Sequence, residues 1–227
     1  MFGRVKLIAA LRSPASGSAL LSADFRTALA ATGARRLQVN VDDTDVAPAM
    51  RFGPGAPITA VVSVWGDDAA AALSVVRRQD AGADAWLVEE RLPLPPPPVA
   101  DGARTDALAN VAFLRRPATM SPDEWRADWL DRHTQVAIDT QGTFGYVQNP
   151  VVHCLTTGGS DVAGIVEELF MMAAMSDHHA FYGSNGDEEE FQRRFTALMD
   201  SCARFGASEG LDLVPSSRYC FDLTGTA

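Results

Sequence analysis

His133 is the side chain in this sequence best suited to moving a proton near neutral pH, because an unperturbed imidazole titrates there. At about 100° per residue, Trp125, Trp129, His133 and Val136 fall within about 80° of arc on one helix, so the imidazole points where the two indoles point. It therefore looks toward a sheet or toward a cavity beneath the helix. Two readings stay open: a general acid or base, or a histidine that bonds a backbone carbonyl and fixes the helix on the sheet. Downstream, Phe144, Tyr146 and Gln148 alternate on one strand face, and His153 follows the Asn149-Pro150 interruption, where proline implies an edge or a bulge. A phenol hydroxyl and an amide among aromatic rings can position a phenol or ketone, and the same residues can also be ordinary packing. Asp177-His178-His179 invites a metal reading, but adjacent helical histidines diverge by about 100°, and no metal site is expected. Asp187-Glu188-Glu189-Glu190 reads as an acidic first turn that complements a helix dipole.

The sequence has no Gly-x-Gly-x-x-Gly after a strand, no Walker A pattern, no Gly-x-Ser-x-Gly elbow and no His-Glu-x-x-His, so no cofactor is expected. Cys154, Cys202 and Cys220 are too scattered for a disulfide framework or a zinc knuckle. A reducing cytoplasm is the simplest compartment for them. The net charge of −10 repels phosphate backbones and anionic lipid surfaces, which excludes nucleic acid and membrane as expected partners. Arg4 and Lys6 ahead of Leu7–Leu11 imitate a signal peptide, but the apolar run is short and reads as a strand. Lys6 is the only lysine beside eighteen arginines, a bias of the kind a GC-rich bacterial genome produces.

The elements that must position these residues follow from punctuation and periodicity. With 227 residues, 47% of them hydrophobic, the chain can build one large or two small cores. Pro95-Pro96-Pro97-Pro98 favours an extended spacer and suggests a first unit over 1–92, a linker over 93–104 and a second unit over 105–227. In the first unit the pattern predicts strands at Val5–Leu11, Arg36–Val41, Ile58–Trp65 and Trp86–Arg91. One helix opens at Ser22 and closes at Gly33, and another over Asp68–Gln79 is capped by Asp67. In the second, strands are predicted at Ala107–Leu114, Phe144–Leu155, Gly164–Phe170 and near Arg218–Leu223, with helices at Ser121–Thr140 and Asp187–Phe205. Ser121 and Glu124 form a capping box around Pro122, and Phe191, Phe195, Leu198, Cys202 and Phe205 make one apolar stripe that Gly206 ends. The order β-α-β-β-α-β thus occurs twice. That predicts an α+β protein of two tandem ferredoxin-like units forming an intrachain dimeric α/β-barrel.

The segment Arg116-Pro117, then Ser121-Pro122-x-Glu124, then Trp129-Leu130-x-x-His133, followed later by Gly164-Ile165-Val166-Glu167, resembles the EthD family of dimeric α/β-barrel proteins. The likeness covers roughly residues 105–223; the first half, with neither tryptophan nor histidine in Ser22–Gly33, departs from it. The resemblance implies a pocket between the second-half sheet and its helices, with Trp129, His133 and Glu167 at the matching positions. His133 would move the proton and Glu167 would orient it or act on the substrate, while Trp129, Phe144, Tyr146, Gln148 and His153 would contact a small hydrophobic or aromatic molecule. The family's name comes from a protein of bacterial ether degradation working beside an oxygenase system, and related members dehydrate or decarboxylate polyketides without a cofactor. The resemblance therefore implies cofactor-free oxidoreductase, dehydratase or decarboxylase-type chemistry, with a non-catalytic binding or accessory role as the alternative. Two tandem halves remove the need for a partner, yet open edges or helix faces could still support a homodimer.

Overall fold

The computed structural model describes residues 5–13, 17–207 and 210–225; Arg4 lies outside them. In the first half, β1 (Val5–Leu11), β2 (Arg36–Val41), β3 (Ala60–Gly66) and β4 (Asp84–Val88) pair antiparallel in the order β4-β1-β3-β2. In the second, β6 (Leu108–Arg115), β7 (Gly145–Cys154), β8 (Val162–Phe170) and β9 (Asp212–Asp222) pair as β9-β6-β8-β7, the same permutation. Two ladders join the halves: β2 to β9, from Arg36↔Asp222 to Val41↔Ser217, and β4 to β7, from Trp86↔Cys154 to Val88↔Val151. Eight strands thereby close into an antiparallel barrel with no free edge, the tandem ferredoxin-like architecture that the duplicated element order predicts. A further strand, β5 (Arg91–Leu94), continues β4 along β7 past the expected end of that strand at Arg91. Pro150, which has no N–H to donate, sits where β7 passes from β5 to β4, and its carbonyl accepts from the Glu89 amide at 3.0 Å.

Strand alternation separates three layers. Leu7, Ala9, Leu11, Leu37, Val39 and Val62 face outward onto α2 (Ala23–Ala30) and α3 (Ala69–Val76), which follow the one-turn α1 (Gly17–Leu20). The opposite face turns Ile8, Ala10, Val61, Trp86, Val111, Phe113, Ile165 and Val214 into the barrel, where residues of both halves fill one interior. In the second half, Ala112, Leu114, Tyr146 and Val166 face outward onto the third layer. It is formed by α4 (Pro122–Ala127), a π-helical turn at Asp128–His133, α5 (Thr134–Thr140) and α7 (Glu188–Phe205), with the short α6 (His178–Tyr182) beside it.

Local chemistry accounts for the boundaries. The Ser121 hydroxyl accepts from the Glu124 amide while the Glu124 carboxylate accepts from the Ser121 amide, as the capping box requires. Asp187 caps α7, and Gly206 ends it at φ 75°, in the left-handed region. At α3 the cap is Asp68 rather than Asp67: a cap must reach the amide three residues on, and Asp68 accepts from Ala71 at 2.9 Å. Asp67 instead accepts from Arg35 at 2.5 Å. The apolar stripe of α7 turns inward only from Leu198 onward; Phe195 is 39% exposed.

Candidate active site

The site begins with an irregularity in a helix. After Ala127 the chain widens into the π turn, which carries one extra residue into the helix, and the buried positions become Trp125, Trp129, His133 and Ala137 at spacings of four. Trp125 and Trp129 lie 5.0 Å apart between ring centroids, and they fit because Gly164 lies under them on β8. A Cβ at that position would overlap the Trp129 ring and stand 3.0 Å from Trp125. The glycine of the Gly-Ile-x-Glu segment is thus explained by tryptophan packing.

Alternation along β8 then separates the two glutamates. Glu167 shares the face of Ile165 and points into the barrel, whereas Glu168 shares the face of Val166 and points toward the helices. The expectation that Glu167 partners His133 is therefore corrected: the sheet stands between them. Glu167 Oε1 accepts from Lys6 Nζ at 2.7 Å and Asn149 Nδ2 at 3.0 Å, and Oε2 accepts from Gln38 Nε2 at 2.5 Å. Burial alone would raise its pKa, but the Lys6 charge and hydrogen bonds outweigh that and hold it at about 2.

Glu168 is the carboxyl of the helix-facing layer. It lies directly across from Tyr146 in the β7–β8 ladder, and the Gln141 amide, oriented to satisfy its neighbours, donates to Glu168 Oε1 at 2.9 Å and to the Ala137 carbonyl at 3.1 Å. Burial pushes the Glu168 carboxyl up to about 7, with the Gln141 bond opposing. The same burial, reinforced by the Glu168 charge, raises the Tyr146 hydroxyl well above its ordinary value and the Cys202 thiol to about 12. Tyr182, raised to about 12 by burial and by Cys202, completes the group. Trp129 Nε1 and Gln148 Oε1 are buried beside the Tyr146 hydroxyl, whose hydrogen bonds to those two side chains oppose its upward shift, while Gln148 Nε2 donates to Thr134 Oγ1 at 2.9 Å.

His133 belongs to the same layer, but its polar contact is Ser201 Oγ, 2.9 Å from Nδ1, and its ring packs 4.7 Å from that of Phe205. Arg204 also donates to Ser201 Oγ at 2.9 Å. Burial first, and then the Arg204 charge, lower the imidazole to about 4, so it is neutral at pH 7. Two expected contact residues lie elsewhere. Phe144 packs on Ala107, Ala109 and Leu169 at the inner face because regular alternation starts only at Gly145. His153 pairs with Leu87 next to the register shift between β4 and β7 and is exposed. Trp129, Tyr146 and Gln148 lie together in the helix-facing layer; Glu168, Gln141, Cys202 and Tyr182, which sequence reasoning did not single out, lie around them. The Glu167-Glu168 doublet carried a signal, since neighbouring strand residues always face opposite ways.

A cavity of about 950 Å³ opens at one end of the barrel, lined in part by Arg36, Trp65, Val88, Glu90 and Cys220. Two of its charged groups are already engaged. Arg36 lies over the Trp65 ring at 4.2 Å, and Glu90 accepts from Trp65 Nε1 and Lys6 Nζ, both at 3.1 Å. None of the residues expected to form the site lines it.

The fold defines a single-chain α/β-barrel protein, with a polar and aromatic cluster packed between the second-half sheet and its helices. Among solved structures, the chain is similar to an anthrone oxidase-like protein (TM-score 0.56, 10% identity, covering 99% of this chain and 95% of that one). It is also similar to a monooxygenase-like protein of Fusobacterium nucleatum (TM-score 0.50, 10% identity, 98% and 96% coverage). At that identity the likeness shows the shared fold. No family model and no curated protein matches the chain. Among the described residues, no helix is long and apolar enough to cross a membrane.

Proposed function

We propose that this is an EthD-type barrel enzyme that binds a small hydrophobic, phenol- or ketone-bearing aromatic molecule between the second-half sheet and its helices, which part to admit it, and transforms it by proton abstraction. The observation that carries the reading is the placement of Glu168 directly across from Tyr146 in the helix-facing layer, where burial pushes its carboxyl up to about 7. The Tyr146 hydroxyl, flanked by the Trp129 indole and the Gln148 amide, would meet the ligand's polar group, and the neighbouring aromatic side chains suit its ring system. Glu168 takes over the role of proton acceptor that the sequence assigned to His133 and Glu167. A neutral imidazole bonded to Ser201 serves instead to fix the π turn on α7. An anthrone-type compound is the natural first substrate. Loss of its acidic C–H proton to Glu168 leaves a carbanion, and reaction of that carbanion with dioxygen gives the quinone and water, one of each per dioxygen.

The test is thermal stabilisation and turnover of the full chain with anthrone-type and simpler phenolic ketones, run beside Glu168→Gln and Tyr146→Phe. A ligand that stabilises the protein is expected, with turnover falling by about 10²–10⁴ in Glu168→Gln while binding persists. Stabilisation without turnover in any variant would move the protein to a binding or accessory role. Equal turnover by Glu168→Gln would remove Glu168 from the reaction.

A further inference from the structure

The single-turn helix α6 places the adjacent histidines differently from what helical divergence alone suggests. Within His178, His179 and Glu188, one ligand atom from each residue lies within 4.8 Å of the others. The His178 and His179 rings stand 4.3 Å apart at an interplanar angle of 38°, and His178 also packs 4.5 Å from the Phe191 ring on α7. His179 Nδ1 meets the buried Ser184 Oγ at 2.6 Å. Its Nε2 lies 3.9 Å from Glu188 Oε2, while Gln192 Nε2 holds the other carboxylate oxygen, Oε1, at 2.9 Å.

We infer that His178, His179 and Glu188 form a binding site for a divalent transition ion of the Zn²⁺ class, which clasps α6 to the first turn of α7. Three features support it beyond proximity. Two imidazoles and one carboxylate are a donor set that suits zinc or nickel rather than magnesium or calcium. The Ser184 bond engages His179 Nδ1 and fixes the ring with Nε2 turned to Glu188, and a partner on the second nitrogen is what a metal-ligating histidine ordinarily has. Gln192 orients the carboxylate in the same way. The amino-terminal dipole of α7 opposes a cation, and the carboxylates of Glu188 and Glu189 in its first turn offset it, Glu190 being held by Arg193 and Arg194. Tyr182, one turn after His178 and on the same face, packs on Phe191 and Phe195 at 5.3 and 5.8 Å, so the clasp also braces the helix pair. The site stands independently of the proposed chemistry at Glu168.

The test is calorimetric titration of Zn²⁺ into the chelator-stripped full-length protein, with Co²⁺ absorption as a report of coordination geometry. One equivalent of saturable binding is expected, together with a Co²⁺ spectrum of a low-coordinate site. His179→Ala and Glu188→Gln should each weaken binding at least tenfold, and Ser184→Ala by about 10–100-fold because the ring loses its orientation. Glu188→Gln alters an exposed position and keeps the helical turn, so circular dichroism separates lost ligation from lost fold. Absence of saturable binding, or equal binding by wild type and Glu188→Gln, would overturn the site.

Discussion

At Glu168 the protein keeps a carboxyl where a neutral group would be more comfortable, and the pH dependence of stability should expose this. The folded pKa of about 7 lies above the ordinary 4.5, so the folded state holds the proton more tightly than the unfolded chain. Stability is unaffected by this group below about pH 4.5 and falls as pH rises toward 7, by up to a few kcal/mol at ~1.4 kcal/mol per pKa unit. Glu168→Gln should remove that fall; denaturant midpoints at pH 4.5 and 8 check it, and parallel curves for variant and wild type would contradict it. His133 works in the opposite direction. Its folded pKa of about 4 lies below the ordinary 6.5, so its contribution is complete above pH 6.5 and is lost as pH falls toward 4. His133→Ala should cost about 2 kcal/mol or more through the cavity left beside Phe205 and Ser201, read as a lower urea midpoint at pH 7.5. The sequence made His133 conspicuous as a proton carrier. Its burial, and the charge of Arg204 on α7, which bonds the same Ser201 hydroxyl, are tertiary facts with no local signature.

The elements themselves were largely legible, because caps and glycines act within a few residues. Ser22, Ser121, Asp187 and Gly206 each mark a helix end by a bond or a dihedral that the local sequence dictates. The π turn was not legible, since no residue in Asp128-Trp129-Leu130-Asp131-Arg132-His133 forbids ordinary helix. What selects it is the layer beneath, where two large indoles must pack over Gly164. Gly164→Ala should therefore destabilise the protein by about 1–3 kcal/mol through overpacking, and should do more than the same change at Gly33, where a Cβ meets nothing within 4 Å although φ is +83°. Comparing the two melting temperatures checks this, and a benign Gly164→Ala would show that the tryptophans have room to move. The widest strand miss is β9, which starts at Asp212 rather than near Arg218; β7 was read to within one residue at each end, yet Phe144 and His153 lie outside the helix-facing layer because the alternation does not run through them.

At the scale of the whole molecule, the solitary lysine is a tether between the halves. Lys6 on β1 is 1% exposed and gives its three donors to Asn149 Oδ1 at 2.8 Å on β7, Glu167 Oε1 at 2.7 Å on β8 and Glu90 Oε1 at 3.1 Å after β4. An ammonium offers three divergent protons from one atom, which fits this tripod; the planar guanidinium fork does not, so arginine is a poor substitute here in a chain that otherwise uses arginine. Composition alone presented Lys6 as a remnant of genome bias, because nothing local shows that strands more than 140 residues away close over it. Lys6→Met leaves Glu167 buried without its cation and should destabilise the barrel by about 3–5 kcal/mol. The double variant Lys6→Met with Glu167→Gln removes the stranded charge and should recover much of that loss. Urea unfolding of the three variants decides the matter: strict additivity would mean that the pair does not hold the halves together, whereas recovery in the double variant would place the coupling across the seam where one chain closes a barrel on itself.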